Sequence, residues 1–98
     1  MDLQELTERM HEFVRSKGWY GADSAKPQTP KNLAVSLVLE ANEVLELFQW
    51  SDDADTREEL ASELADVMLY LIQLASVSQI DLEAAVLAKL DENYDRTW

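Results

Sequence analysis

Residues 56–78 read TREELASELADVMLYLIQLASVS, and their spacing decides the fold. Thr56 followed by Glu59 has the spacing of a capping box, in which a hydroxyl and a carboxylate satisfy free N–H groups at a helix start. At about 100° per residue, Leu60, Leu64, Val67 and Leu71 share one face, while Leu69 and Ile72 point elsewhere. A surface helix needs only one apolar stripe. A second stripe has two explanations: burial against another subunit, or a central place within one subunit. The pattern leaves both open.

Outward from this helix the chain is punctuated by start and stop signals. Thr29-Pro30 opens a helix that the pattern carries to about Trp50, with the hydroxyl as cap and proline at the first helical position. Ser51 to Asp55 reads as the connector. Asp2 and Glu5 have capping-box spacing ahead of Leu3, Leu6, Met10, Phe13 and Val14, and that first helix stops near Gly18. Trp19 to Gln28 reads as a loop, and Asp81 caps a fourth helix carrying Leu82, Val86 and Leu90. Two glycines and two prolines are too few for a loop-rich or β-rich chain. The expected fold is all-α: four helices, with short connections suited to antiparallel neighbours.

Ninety-eight residues suffice for one domain, 1–98, that is marginal as a monomer, yet 47% hydrophobic residues are ample for a core plus an interface. With no cysteine, neither disulfides nor thiolate metal sites are available. The N-terminus lacks the basic and apolar regions of a signal peptide. The apolar stretch Val67–Ala75, interrupted by Gln73, is too short to span a bilayer. The expectation is a cytoplasmic protein with no membrane partner. A formal charge of −12 repels nucleic-acid backbones, so none is expected as a partner, and an anionic small substrate would need a cation to screen its approach.

Acid pairs three residues apart are common here, and position on the helical wheel separates them. Glu40 falls between Leu47 on one side and Leu33 and Val44 on the other. Glu63 falls between Tyr70 and Leu74. Each has a partner acid one turn later on the polar side, Glu43 and Asp66. A carboxylate in an apolar arc costs free energy unless it is protonated, paired or bound to metal. The second and third helices carry only Lys31 and Arg57 as bases, each at its helix start, so internal salt bridges are scarce. If these helices are antiparallel neighbours, the four acids converge on one point. An all-oxygen set selects a hard ion, Mg²⁺ or Mn²⁺, over zinc or copper.

On the fourth helix, Leu82, Val86, Lys89, Asn93 and Arg96 share a narrow band. Lys89 and Arg96 can meet phosphate oxygens and Asn93 a base or sugar edge; the alternative is that the two cations pair with surface acids. Trp19, Trp50 and Tyr70 offer flat surface for core packing or for stacking on a base. His11, the one histidine, reads as an ordinary polar residue.

Glu40-x-x-Glu43 followed by Glu63-x-x-Asp66 resembles the E-x-x-E…E-x-x-D signature of MazG-like pyrophosphohydrolases. Pro30-Lys31-Asn32-Leu33, Glu46-Leu47-Phe48-Gln49-Trp50, Glu63-Leu64-Ala65-Asp66-Val67, and Lys89 with Asn93, are similar to the short dCTP pyrophosphatase branch. The resemblance covers essentially the whole chain. It implies a four-helix bundle assembling as a homodimer or dimer of dimers. It also implies Mg²⁺-dependent hydrolysis of nucleoside triphosphates, dCTP-like or modified pyrimidine ones, to monophosphate and pyrophosphate. Carried over, Glu40, Glu43, Glu63 and Asp66 hold magnesium and perform the chemistry. Tyr70, Lys89 and Arg96 face phosphates or sugar, and His11, Trp19, Trp50 and Asn93 line the base pocket. The chain departs from the family at Leu39, where many members carry a further glutamate. It also departs at Gln28, where the branch has histidine, and in a longer loop from Tyr20 to Gln28. With Trp98 as the last residue, a pocket-closing tail is expected to be absent or removed. The competing readings are a non-enzymatic helical oligomerisation domain and a divalent-ion binder.

Overall fold

A computed structural model describes residues 1–54 and 56–98; Asp55 of the connector lies outside the described residues. Four helices appear in order, α1 (Leu3–Ser16), α2 (Pro30–Glu46), α3 (Arg57–Val77) and α4 (Leu82–Tyr94), with no strand among the described residues. Every start follows from a local side chain. Asp2 accepts from the Glu5 N–H at 2.8 Å, Thr29 from Asn32 at 3.2 Å, Thr56 from Glu59 at 3.0 Å and Asp81 from Ala84 at 3.1 Å. Each bond satisfies a helix-end donor that has no intrahelical partner.

The ends were less visible. α2 stops at Glu46, four residues before the expected Trp50. Leu47, Phe48 and Gln49 donate to carbonyls three residues back, tightening the chain out of the α-helix. The last turn of α2 has no basic residue to complement the dipole, and Glu46 opposes it. α1 and α3 close more firmly, both with a Schellman motif. At α1, Gly18 has φ +72°, and Trp19 and Gly18 donate to Val14 and Arg15. At α3, Gln79 occupies the same left-handed place, φ +59°, and Ile80 and Gln79 donate to Ala75 and Ser76.

α3 is the central helix, packed extensively along α2, more lightly against α1 and barely against α4. Ile72 of α3 is buried with Met10 and Val14 of α1, and Leu3, Leu6, Trp19, Tyr20 and Leu82 pack around them. Ile72 therefore turns its face inward, within its own chain. The faces left open on α3 carry Leu64, Met68 and Leu71, while α4 exposes Val86, Leu87 and Leu90. By length and composition alone α3 is apolar enough to cross a membrane, which the stretch Val67–Ala75 did not suggest. Its central position, and the acids it carries, place it instead in a helix assembly.

Candidate active site

α2 and α3 bring three of the four acids of the two pairs together. Glu40, Glu43 and Glu63 each offer a carboxylate oxygen, and these lie within 4.8 Å of one another. Asp66 is close enough for its charge to act on both Glu40 and Glu63, but its side chain also lines a cavity beside the cluster. Glu46, a further turn along α2, acts on Glu63 as well. Its place three residues after Glu43 was legible but unused.

The cluster is electrostatically uncompensated. Burial first, then a hydrogen bond with Glu43 and the surrounding charges, raise the Glu40 pKa above its ordinary value. For Glu63 the hydrogen bond with Glu43 comes first, followed by burial and charge. Among the described residues the one ion pair is Lys89–Glu92 at 3.5 Å, on the surface of α4. Glu40 Oε2 and Glu63 Oε2 are buried without a hydrogen-bond partner. Buried polar atoms nearly always have partners. Two orphaned carboxylate oxygens in an all-oxygen cluster fit a hard divalent cation, which repays the desolvation that no base here offsets.

Beside the acids, a cavity of about 290 Å³ opens between α1 and α3. Trp19, Phe13 and Tyr70 give it aromatic walls, Met10 and Leu69 aliphatic ones, and Asp66 lies on its lining. Trp19 stands at the wall because the α1 Schellman turn delivers it there, edge-on to Phe13 at 5.7 Å between ring centroids. Trp19, Gln28 and Tyr70 are shared with a second cavity of about 580 Å³ between the loop and α2, whose rim carries Lys26 and Lys31.

His11 is not gathered with these groups. It lines a separate cavity of about 390 Å³ at the α3–α4 turn, and both ring nitrogens are engaged. Nδ1 is 2.6 Å from the Tyr20 hydroxyl, and Nε2 is 2.7 Å from Ser76 Oγ. Burial, then the charge of Arg15, lowers the His11 pKa below its ordinary value. Burial raises that of Tyr20, partly opposed by Gln73 and Arg15. None of Trp50, Lys89, Asn93 and Arg96 lines these cavities. Trp50 is 91% exposed. Arg96 lies over the Trp98 ring at 4.2 Å. Asn93 is half-buried, with Oδ1 enclosed and unpartnered. Sequence reasoning noted Gln73 only as a break in the apolar stretch and gave neither it nor Ser76 a role; the signal was a pair of polar residues interrupting the apolar run of α3.

Residues 28–97, which include both acid pairs, match the family model of the MazG nucleotide pyrophosphohydrolase domain. Over 103 aligned residues the chain is 38% identical to dCTP pyrophosphatase 1 of Rattus norvegicus and of Homo sapiens, covering 96% of this chain. It spans 58% of the length of those curated relatives. A crystal structure of a pyrophosphatase from Archaeoglobus fulgidus superposes with a TM-score of 0.79 at 38% identity, over 93% of this chain and 87% of that one.

Proposed function

The chain belongs to the MazG nucleotide pyrophosphohydrolase family, and on that premise we propose that it hydrolyses dCTP-like or modified pyrimidine deoxynucleoside triphosphates to the monophosphate and pyrophosphate. The observation that carries this reading is the pair of orphaned oxygens, Glu40 Oε2 and Glu63 Oε2, in a carboxylate cluster that lacks a basic partner. Glu40, Glu43, Glu63 and Asp66 are the residues that would hold magnesium, with manganese as a substitute. When bound there, magnesium would supply charge to offset the triphosphate and would lower the pKa of a water.

The remaining work falls to the chain itself. A carboxylate of the cluster orients a water and takes its proton. The water oxygen bonds to the α-phosphorus, the bridge to the β-phosphate breaks, and pyrophosphate leaves. Trp19 and Tyr70 give the base flat walls and exclude water. Lys89, exposed on α4 and in a surface contact with Glu92 that it would exchange, and Arg96, just beyond the end of that helix, are the cations we assign to phosphate oxygens, and Asn93 brings an unspent amide oxygen. The two glycines do not form a P-loop, so no γ-phosphate cradle of that kind exists.

Self-association belongs to the same proposal. The single chain exposes 7632 Å², whereas a compact monomer of its mass exposes about 5,700 Å². Its radius of gyration is 15.8 Å against about 12.6 Å for a compact domain. The surplus is of the size that each subunit of an obligate oligomer buries. A homodimer or dimer of dimers covers Leu64, Leu71, Val86 and Trp50 and brings α4 of one copy to another. The setting is the cytoplasmic nucleotide pool.

Product analysis in ¹⁸O-labelled water tests the reaction: label should enter the monophosphate. Glu40→Ala and Asp66→Ala should abolish turnover, while Glu92→Ala should not. Release of inorganic phosphate with a nucleoside diphosphate would overturn the mechanism.

A further inference from the structure

Behind the aromatic cavity runs a chain of hydrogen bonds whose polarity one backbone carbonyl decides. Gln28 Nε2 donates to the Lys26 carbonyl at 2.6 Å. A carbonyl only accepts, so the Gln28 amide cannot be turned over, and its Oε1 must face Gln73. The Gln73 atom 2.8 Å away is then necessarily Nε2, donating. The same Nε2 reaches the Tyr20 hydroxyl at 3.3 Å. Tyr20 thus accepts from Gln73, which leaves its own proton free to be given to His11 Nδ1. With that proton given, His11 is neutral with its own proton on Nε2, directed at Ser76 Oγ.

This relay spends both N–H groups of Gln73 and leaves its carboxamide oxygen. Gln73 is 3% exposed and lines the cavity of Trp19 and Tyr70. Beside it on that lining, Asp66 belongs to the acid cluster and Arg9 is exposed. We propose that Gln73, locked by Gln28 with its oxygen as the atom on offer, is the residue that reads the base, selecting an edge that donates a hydrogen bond. A 4-amino pyrimidine presents such an edge, and a 4-keto pyrimidine presents an acceptor there. Tyr20 and His11 are positioning residues: they hold the amide in register and do not touch the base. The lock draws on Tyr20 and Lys26, outside the segment that matches the family model, residues 28–97. The inference rests on the proposed function in placing the base in this cavity.

Two measurements test it separately from that function. Pyrophosphate release with Mg²⁺ gives kcat/KM for dCTP and dTTP, and tryptophan fluorescence gives Kd for dCMP and dTMP without turnover. The wild type should favour the amino base in both by roughly tenfold, the size of one matched against one mismatched buried hydrogen bond. Gln73→Met, apolar and of similar length, should bring both ratios near unity. Gln28→Met, which frees the Gln73 amide to rotate, should lower them in the same direction, and it carries the test if the first variant fails to fold. Turnover with unchanged ratios in the variants, or a wild-type preference for the keto base, overturns the inference and leaves the function standing. Selective, Gln73-dependent binding without turnover does the reverse.

Discussion

Tyr20→Phe removes one oxygen from the centre of the relay and nothing from its packing. Two groups lose a partner. His11 Nδ1 loses a donor at 2.6 Å, and Gln73 Nε2 loses its longer bond at 3.3 Å while keeping Gln28 at 2.8 Å. A buried group left unsatisfied costs about 1–3 kcal/mol. Gln73 retains a bond and His11 is only half-buried, so water restores part of the loss. That puts the expected destabilisation at about 1–2 kcal/mol. For a domain this small each kcal/mol moves Tm by about 4–8 °C, so a fall of roughly 5–15 °C is expected. Circular-dichroism melts at fixed protein concentration and neutral pH measure it, with concentration held constant because association adds to apparent stability. Tyr94→Phe is the matched control, since Tyr94 is 86% exposed and should not respond. A Tyr20→Phe melt that coincides with wild type would refute the Tyr20 links of the relay, while the orientation of Gln73, set by Gln28, is tested by Gln28→Met.

The acid cluster predicts opposite responses to pH and metal. The raised Glu40 and Glu63 pKa values mean that stability from the protonated carboxyls is complete below the ordinary value of 4.5 and lost as pH rises through the folded values. Metal-free protein should therefore lose Tm as pH climbs above 4.5, Mg²⁺ should flatten that loss, and Glu63→Gln should melt higher without metal but gain less from it. Equal magnesium responses in the two proteins would rule out the site. The lowered pKa of His11 has the other sign: its stability is present above the ordinary value of 6.5 and lost as pH falls through the folded value. Melts of metal-loaded protein between pH 8 and 5 should show it, and His11→Asn should remove it. Trp19→Ala should raise KM more than it lowers kcat, because stacking binds ground and transition states alike; a matched collapse of both with loss of fold would mean that Trp19 serves only as core. Gln79→Gly relieves a left-handed residue worth about 1–2 kcal/mol, offset by about 0.4–1 kcal/mol of added unfolded-state entropy, so a modest rise in denaturation midpoint is expected.

The helix starts could be read from the sequence because each is decided within one turn. Thr29, Thr56 and Asp81 sit three residues from the N–H groups they cap, so the interaction is written in consecutive letters. The end of α2 was misplaced because no glycine or basic residue marks it. Ile72 was left open between two neighbours for a different reason. A wheel gives direction but not the neighbour, and α1 takes the place that a second subunit was equally able to fill.

The site divides along the same line. The gathering of Glu40, Glu43 and Glu63, with the charge of Asp66 near them, was legible because two helices each repeat an acid pair at one-turn spacing, and only the α2–α3 pairing had to be supplied. The amide relay joins residues 45, 53 and 65 positions apart. Nothing local distinguishes Gln73 from a polar residue that merely interrupts an apolar helix. Its meaning comes from the loop: Pro27 and Thr29-Pro30 bracket Gln28, and the Lys26 carbonyl turns its amide. Chemistry that depends on charge thus leaves a signature in composition and spacing. Chemistry that depends on which end of an amide faces a cavity becomes visible only when the carbonyl that orients it has been placed.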